Sequence, residues 1–135
     1  MDIHFKTIPH KSQRYNTCGD WIVRDGKLRE VRVSQMPNDD YHFAVAIHEA
    51  VEAWLCLKNG ITQKMVDDFD TSYEAARVQR EAAPCGCKPT DVSEPGNDRH
   101  APYGKYHKFA TRIEKMIISA MKISWKVYDD FIDSM

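Results

Sequence analysis

The sequence has no long hydrophobic run and no dominant charge. Its 135 residues carry a formal net charge of −1, so it has neither a basic surface for nucleic acid nor an acidic tail. The longest apolar stretch, residues 43–57, is too short and too interrupted by polar side chains to cross a bilayer. We therefore expect no nucleic-acid partner and no membrane partner, and the pattern leaves the oligomeric state open.

The first residues and the few cysteines indicate the compartment. Residues 1–4 form neither the basic nor the apolar part of a signal peptide, so we expect a cytoplasmic protein. In a reducing cytoplasm its four cysteines are thiols or metal ligands rather than disulfides. Cys85 and Cys87 form a CxC pair that can hold structural zinc with a nearby histidine, although the paired CxxC knuckles are absent. Cys18 and Cys56 are expected to be small buried residues.

Hydropathy and turn patterns predict one α+β domain over residues 1–135. The β-rich part, 1–38, contains two alternating runs around Asp25-Gly26, which is a strong hairpin signal. The part 39–135 is predicted to be helical and contains a long loop at 84–104 with four of the six prolines. We therefore expect a small N-terminal antiparallel sheet followed by three helices.

The three helices have recognisable ends. The first is predicted from about 41 to 59, with Asp39 or Asp40 as N-cap and Gly60 as its C-terminal stop. Thr62 is expected to cap the second, which runs to about 83. The third is predicted as one long helix over 105–133.

Three polar side chains interrupt the apolar stretch 43–57, and they are His48, Glu49 and Glu52. At about 100° per residue, Glu52 lies roughly 40° and Glu49 roughly 100° from His48, so all three share one side of the helix. A buried carboxylate without a partner is costly, and two together require a cation.

The cation that neutralises the two glutamates is either a protein side chain or a metal ion. In one reading the glutamates form salt bridges with His48 and with an arginine such as Arg112 or Arg77. In the other, His48 and Glu52, at i and i+4, bind one metal ion. Glu49 then stands beside the ion as a general base.

The string HEAVE, residues 48–52, resembles the HExxH helix of zinc metallopeptidases (zincins), with a glutamate in place of the second histidine. This resemblance implies a zincin-like minimal core. It also implies His48 and Glu52 as zinc ligands and Glu49 as the catalytic base for metal-activated water.

Nearly the whole chain resembles a family of small phage and prophage proteins. The resembling stretches are IPHKSQRYNTCGDW, HEAVEAWLC, VDDFD and EPGNDRHAPYGKYHKFA. The resemblance implies a phage or prophage origin and a bacterial host cell, and it implies nothing about activity.

A catalytic zinc site needs a third protein ligand. We expect this ligand to be His107, which follows the long loop and shares a helix face with Ala110, which is expected to point inward. The N-terminus of a helix also keeps a histidine neutral, as a ligand must be. A surface histidine in a polar segment is the alternative reading.

Asp70 and His100 are the alternates for the third ligand. Asp70 lies on the next helix, close to where one zincin subgroup, the gluzincins, places its acidic third ligand. It can either bind the metal or orient a histidine ligand from behind, and Glu114 is a further candidate for that orienting role. His100 lies in the long loop.

The pattern predicts a metal-dependent hydrolase that uses Zn²⁺ or another divalent transition metal. The resemblance to zincins implies a metallopeptidase that acts on a peptide or protein substrate. The strand 27–34 is expected to offer an edge to an extended peptide.

Two alternatives stay open at this point. The acidic pairs Glu49/Glu52 and Asp70/Glu74 are similar to those of all-α nucleotide pyrophosphohydrolases, which hold magnesium. The other alternative is a non-enzymatic phage protein that binds a host factor.

Overall fold

The N-terminal part forms a three-stranded sheet in the computed structural model, which describes residues 1–135. Its strands are β1, His4–Ile8; β2, Gly19–Arg24; and β3, Lys27–Ser34. Asp25 and Gly26 both have positive φ, 53° and 69°, as the tight turn between β2 and β3 requires. The predicted hairpin is confirmed.

The sheet order is β1-β3-β2, with β2 antiparallel and β1 parallel to β3. The sheet is therefore mixed and not antiparallel throughout as expected, because β1 lies at the far edge of β3 and runs in the same direction. Both edges of β3 are paired, so the expectation that this strand offers an edge to a peptide is wrong. The outer edge of β2 is also engaged: Val23 N donates to the Gln63 side chain at 2.9 Å, and the Gln63 side chain donates to the Trp21 carbonyl at 2.6 Å.

Helix α1, Asp39–Lys58, packs on β2 and β3 and carries the HEAVE segment. Its N-cap is Asn38, whose side chain accepts from Tyr41 N at 3.0 Å, rather than Asp39 or Asp40. The two aspartates lie in the first turn, where their charge favours the helix dipole. Gly60 follows the helix with φ +78°.

Helix α2, Gln63–Gln79, begins where predicted, because Thr62 accepts from Met65 N at 3.2 Å. It ends before residue 83, since Arg80 takes the left-handed conformation with φ 55°. The loop that follows contains a disulfide between Cys85 and Cys87. The sequence predicts thiols or metal ligands there instead of a disulfide; the structure differs because Gly86, with φ +83°, turns the chain so that the two sulfurs meet.

The predicted long C-terminal helix is two helices, α3, Gly104–Ala120, and α4, Trp125–Asp133. Lys122, with φ 61°, ends the first, and the Ser124 side chain caps the second. The break lets Tyr128, which is 1% exposed, pack into the core. None of the four helices combines the length and apolar character needed to span a bilayer.

Candidate metal centre

His48 and Glu52 on α1 meet His107 on α3 in the interior of the protein. His48 Nε2 lies 3.2 Å from His107 Nδ1 and 3.4 Å from Glu52 Oε2, and His107 Nδ1 lies 2.9 Å from Glu52 Oε2. Two ligands about 2.1 Å from a tetrahedral zinc ion lie about 3.4 Å apart. The triangle of two nitrogens and one oxygen therefore has nearly the size that three zinc ligands require.

A carboxylate stands behind each histidine. His48 Nδ1 lies 2.8 Å from Glu114 Oε2, and His107 Nε2 lies 3.1 Å from Glu94 Oε2. When a ring is neutral and its outer nitrogen keeps the proton, that nitrogen donates to the carboxylate, and the inner nitrogen, His48 Nε2 or His107 Nδ1, is the ligand atom. Carboxylates that hold a histidine in this way are common behind metal ligands, where they fix the ring and its tautomer. Tyr128 in turn donates its hydroxyl to Glu114.

Glu52 is anchored at both oxygens. Its Oε1 accepts from the indole of Trp21 at 3.3 Å, while Oε2 faces the two histidines. Burial alone raises the pKa of Glu52, but the hydrogen bonds from His107 and His48 overcome it and lower the pKa to about 2. The carboxylate is thus ionised, as a metal ligand must be.

The two histidines are basic in the absence of an ion. Burial opposes their protonation, but hydrogen bonds to Glu52 and Glu94 raise the pKa of His107 to about 9, and those to Glu114 and Glu52 raise the pKa of His48. The expectation that the helix N-terminus keeps His107 neutral is therefore wrong, because the carboxylates outweigh the helix dipole. A metal ion and protons compete for the same nitrogens.

Glu49 stands apart from this network. It lines the same cavity, about 420 Å³ in volume, as His48, Glu52 and His107. Burial and the neighbouring charge of Glu52 raise its pKa well above the usual range, and no hydrogen bond lowers it. A carboxylate with a raised pKa and no fixed partner is suited to accept and release a proton.

Two glycines make room for the site. A Cβ atom at Gly96 would overlap the ring of His107, and a Cβ atom at Gly19 would overlap the carboxylate of Glu49. Neither glycine has a positive φ. They are needed for close approach and not for backbone conformation.

The two alternate ligands lie outside this triangle. Asp70 accepts from the hydroxyls of Tyr103 and of Tyr15, the latter at 3.3 Å, and burial raises its pKa to about 7. His100 lies 3.5 Å from Cys87 Sγ in a separate cluster. The side chains whose ligand atoms converge on one point are His48, Glu52 and His107.

Neither of the two arginines expected as partners pairs with the HEAVE segment. Arg77 pairs with Glu74 at 2.9 Å, and the Arg112 guanidinium lies 5.6 Å over the ring of Phe109. The salt-bridge alternative therefore holds for Glu52 and His48, which lie 3.4 Å apart, and not for an arginine. The pairing with Arg77 also commits Glu74, one of the four carboxylates of the predicted magnesium arrangement, to a cation already present.

Glu94 is the part of the site that the sequence pattern does not reveal. It lies in the long loop, just before the short 3-10 turn Pro95–Asn97, where no periodicity indicates which way a side chain points. The one sequence signal for Glu94 is its position two residues before Gly96, since a glycine in a polar loop often marks a place where another group approaches the backbone closely. Glu114, by contrast, is expected from the sequence and lies behind His48.

Comparisons with known proteins add no relatives: no family model matches the chain, and no curated protein or solved structure is similar to it at a significant level.

Proposed function

We propose that the protein is a metal-dependent hydrolase with a zincin-like site, acting on a peptide or amide bond. The observation that carries the proposal is the convergence of His48 Nε2, His107 Nδ1 and Glu52 Oε2 within 3.4 Å of one another. Two imidazoles and one carboxylate are a donor set that catalytic zinc sites use. Nitrogen ligands favour zinc or another transition metal over magnesium.

The side chains of the site have three different roles in this proposal. His48, Glu52 and His107 would hold the ion, while Glu114 and Glu94 orient the two histidines from behind. The bound ion would supply Lewis-acid activation of water and of the scissile carbonyl. Glu49, on the cavity wall, takes the proton from the attacking water and passes it to the leaving group.

The open cavity supports an enzyme over a purely structural site. A structural zinc site is closed by four protein ligands, whereas this one has three and faces a cavity of about 420 Å³. A cavity of this size accepts a small substrate or one or two side chains of a larger one. The resemblance to phage and prophage proteins extends the proposal to a hydrolase that works in the cytoplasm of a bacterial host.

The first test is metal content and activity of the full chain purified without a metal-affinity tag or chelator. We expect about one ion at this site per chain, and loss of that ion in His48→Ala with most helix content retained. The activity panel contains quenched fluorogenic peptides and amides, with nucleoside triphosphates in parallel as probes of the magnesium alternative.

Glu49→Gln separates binding from chemistry. It should keep the ion and lower hydrolysis by about 10²- to 10⁴-fold, as the loss of a general base does. Glu81→Gln is the matched control, because Glu81 is exposed and distant in the chain from the HEAVE helix. Full ion occupancy in His48→Ala would refute the metal site, and undiminished hydrolysis in Glu49→Gln would refute the role of the base. Metal binding without hydrolysis of any probe would favour the non-enzymatic alternative.

A further inference from the structure

A second group of metal-ligating side chains lies at the surface, in the loop between α2 and α3. Cys85, Cys87 and His100 have ligand atoms within 4.8 Å of one another, and none of them belongs to the HEAVE site. Asp98 joins them, because its Oδ1 lies 2.9 Å from His100 Nδ1 and 3.4 Å from Cys87 Sγ.

Two distances from Cys87 Sγ match those of a zinc site with sulfur, whereas His100 Nδ1 and Asp98 Oδ1, 2.9 Å apart, must separate slightly to bind one ion. A thiolate at about 2.3 Å and a nitrogen or oxygen ligand at about 2.1 Å from a tetrahedral zinc ion lie about 3.6 Å apart. Cys87 Sγ lies 3.5 Å from His100 Nδ1 and 3.4 Å from Asp98 Oδ1. Cys87 is buried on one side of this group and His100 is exposed on the other, so an ion has a route of entry.

The two sulfurs are bonded to each other in the structure. A disulfide is a poor metal ligand, since metals bind the thiolate. A thiol reductant transfers two electrons and two protons to the S–S bond, which yields the thiols of Cys85 and Cys87 and the disulfide of the reductant. A divalent ion then displaces the two thiol protons.

We infer that the reduced protein binds a second, zinc-like ion through Cys85, Cys87, His100 and Asp98. Four protein ligands close the coordination sphere, so the site is structural and not catalytic. The ligands come from the two ends of one loop segment, 85–100, and Glu94 lies between them. The ion therefore holds together the two ends of loop 85–100. This loop carries Glu94, whose carboxylate contacts His107.

The test is a Co²⁺ titration of the full chain, reduced, freed of metal and kept under inert gas. Thiolate ligands give Co²⁺ a near-ultraviolet charge-transfer band, which two histidines and a glutamate, the ligands of the HEAVE site, cannot produce. We expect about two ions per chain with the band in reduced protein, and about one ion without it after oxidation. Cys85→Ser and Cys87→Ser should each lose the band and one ion, while Cys18→Ser, the matched control with a thiol outside the cluster, keeps both.

Alkylation of the wild-type chain provides a second measurement that does not depend on a variant folding. Zn²⁺ should protect Cys85 and Cys87 of the reduced protein from a thiol-alkylating reagent, as read by mass spectrometry of the peptide that contains both. Absence of the band in reduced wild type, its persistence in the Cys87→Ser chain, or unprotected alkylation would each overturn the inference. His48→Ala should leave the band unchanged, so failure of the HEAVE site is distinguishable from failure of this one.

Discussion

Glu52 on α1 and Asp70 on α2 are buried to nearly the same extent, 4% and 6% exposed, and both line the same cavity. Their protonation differs completely. Hydrogen bonds from two histidines outweigh burial and lower the pKa of Glu52 to about 2. Asp70 faces two tyrosine hydroxyls, and burial raises its pKa to about 7. Burial alone does not determine charge; the cationic or neutral character of the partners does.

This difference explains why one carboxylate is a candidate ligand and the other is not. An ion needs a charged oxygen beside nitrogen lone pairs, and Glu52 meets this need. Asp70 near neutral pH is partly protonated, and its oxygens already accept from Tyr103 and Tyr15. The sequence treats Glu52 and Asp70 alike, as acidic residues on consecutive helices.

The largest effect is expected for metal content. Glu52→Gln should reduce the ion at the HEAVE site from about one per chain to nearly none, because the charged oxygen between the two histidines is lost. Asp70→Asn, the matched change on the next helix, should keep the ion. Elemental analysis of the dialysed variants measures both. An Asp70→Asn chain that loses its ion would assign the third-ligand role to Asp70 and end the contrast.

The next largest effect is on the pH dependence of the free energy of unfolding. The pKa of Asp70 is raised from an ordinary 3.8 to about 7, so the native state holds a proton that the unfolded state has lost between those values. The free energy of unfolding should therefore fall as pH rises from about 4 to 7, by at most roughly 1.4 kcal/mol for each pH unit in that interval.

Asp70→Asn should remove this part of the pH dependence. Urea unfolding of metal-free protein at several pH values, wild type minus variant, isolates the contribution from that of the histidines. An identical pH slope in both proteins would show that Asp70 is ionised in the native state.

A smaller effect is expected from the carboxylate behind His48. Glu114→Gln keeps the shape of the side chain but weakens its hold on Nδ1, so metal affinity should fall about 10- to 100-fold. Competition with a chromophoric chelator measures the change. Tyr128→Phe, which removes only the hydroxyl that binds Glu114, should cost less. Equal affinity in Glu114→Gln and wild type would mean that the histidine is positioned by packing alone.

The smallest effect is expected at Tyr103. Its hydroxyl donates to Asp70 and lowers the pKa of that group, so Tyr103→Phe should raise the Asp70 pKa above 7 and cost about 1 kcal/mol of stability. Tyr73→Phe is the control, since Tyr73 donates to Ser93 at 2.8 Å and not to a carboxylate. Both variants should lose similar stability, but only the first should shift the pH profile.

Local signals account for the parts of the fold that the sequence predicts correctly. Asp25-Gly26 predicts its turn, and Thr62 predicts the start of α2, because each acts on its own neighbours. The parallel pairing of β1 with β3 depends on a long-range contact that no local pattern encodes. The end of α3 is also hidden, because Lys122 is not a residue that usually takes a positive φ.

The candidate site shows the same division. The common face of His48 and Glu52 follows from helix geometry, and Glu114 is anticipated as a residue that orients a histidine ligand. The contact of Glu94 with His107 depends on the path of an irregular loop, which hydrophobic periodicity does not predict. The protonation of His107 also escapes the sequence, since it is set by two carboxylates that come from different elements.

Gly19 and Gly96, the two glycines beside the HEAVE site, should be sensitive positions in a mutational scan of this protein. A screen that scores function at every position should find Gly19 and Gly96 intolerant of alanine, because a Cβ atom would displace the carboxylate of Glu49 or the ring of His107. Gly26, where a Cβ atom would meet nothing, should tolerate residues that accept its turn conformation, such as asparagine. A search pattern for distant relatives should therefore contain Gly19 and Gly96 together with HEAVE and His107, because shape at these positions limits sequence change as strongly as chemistry does.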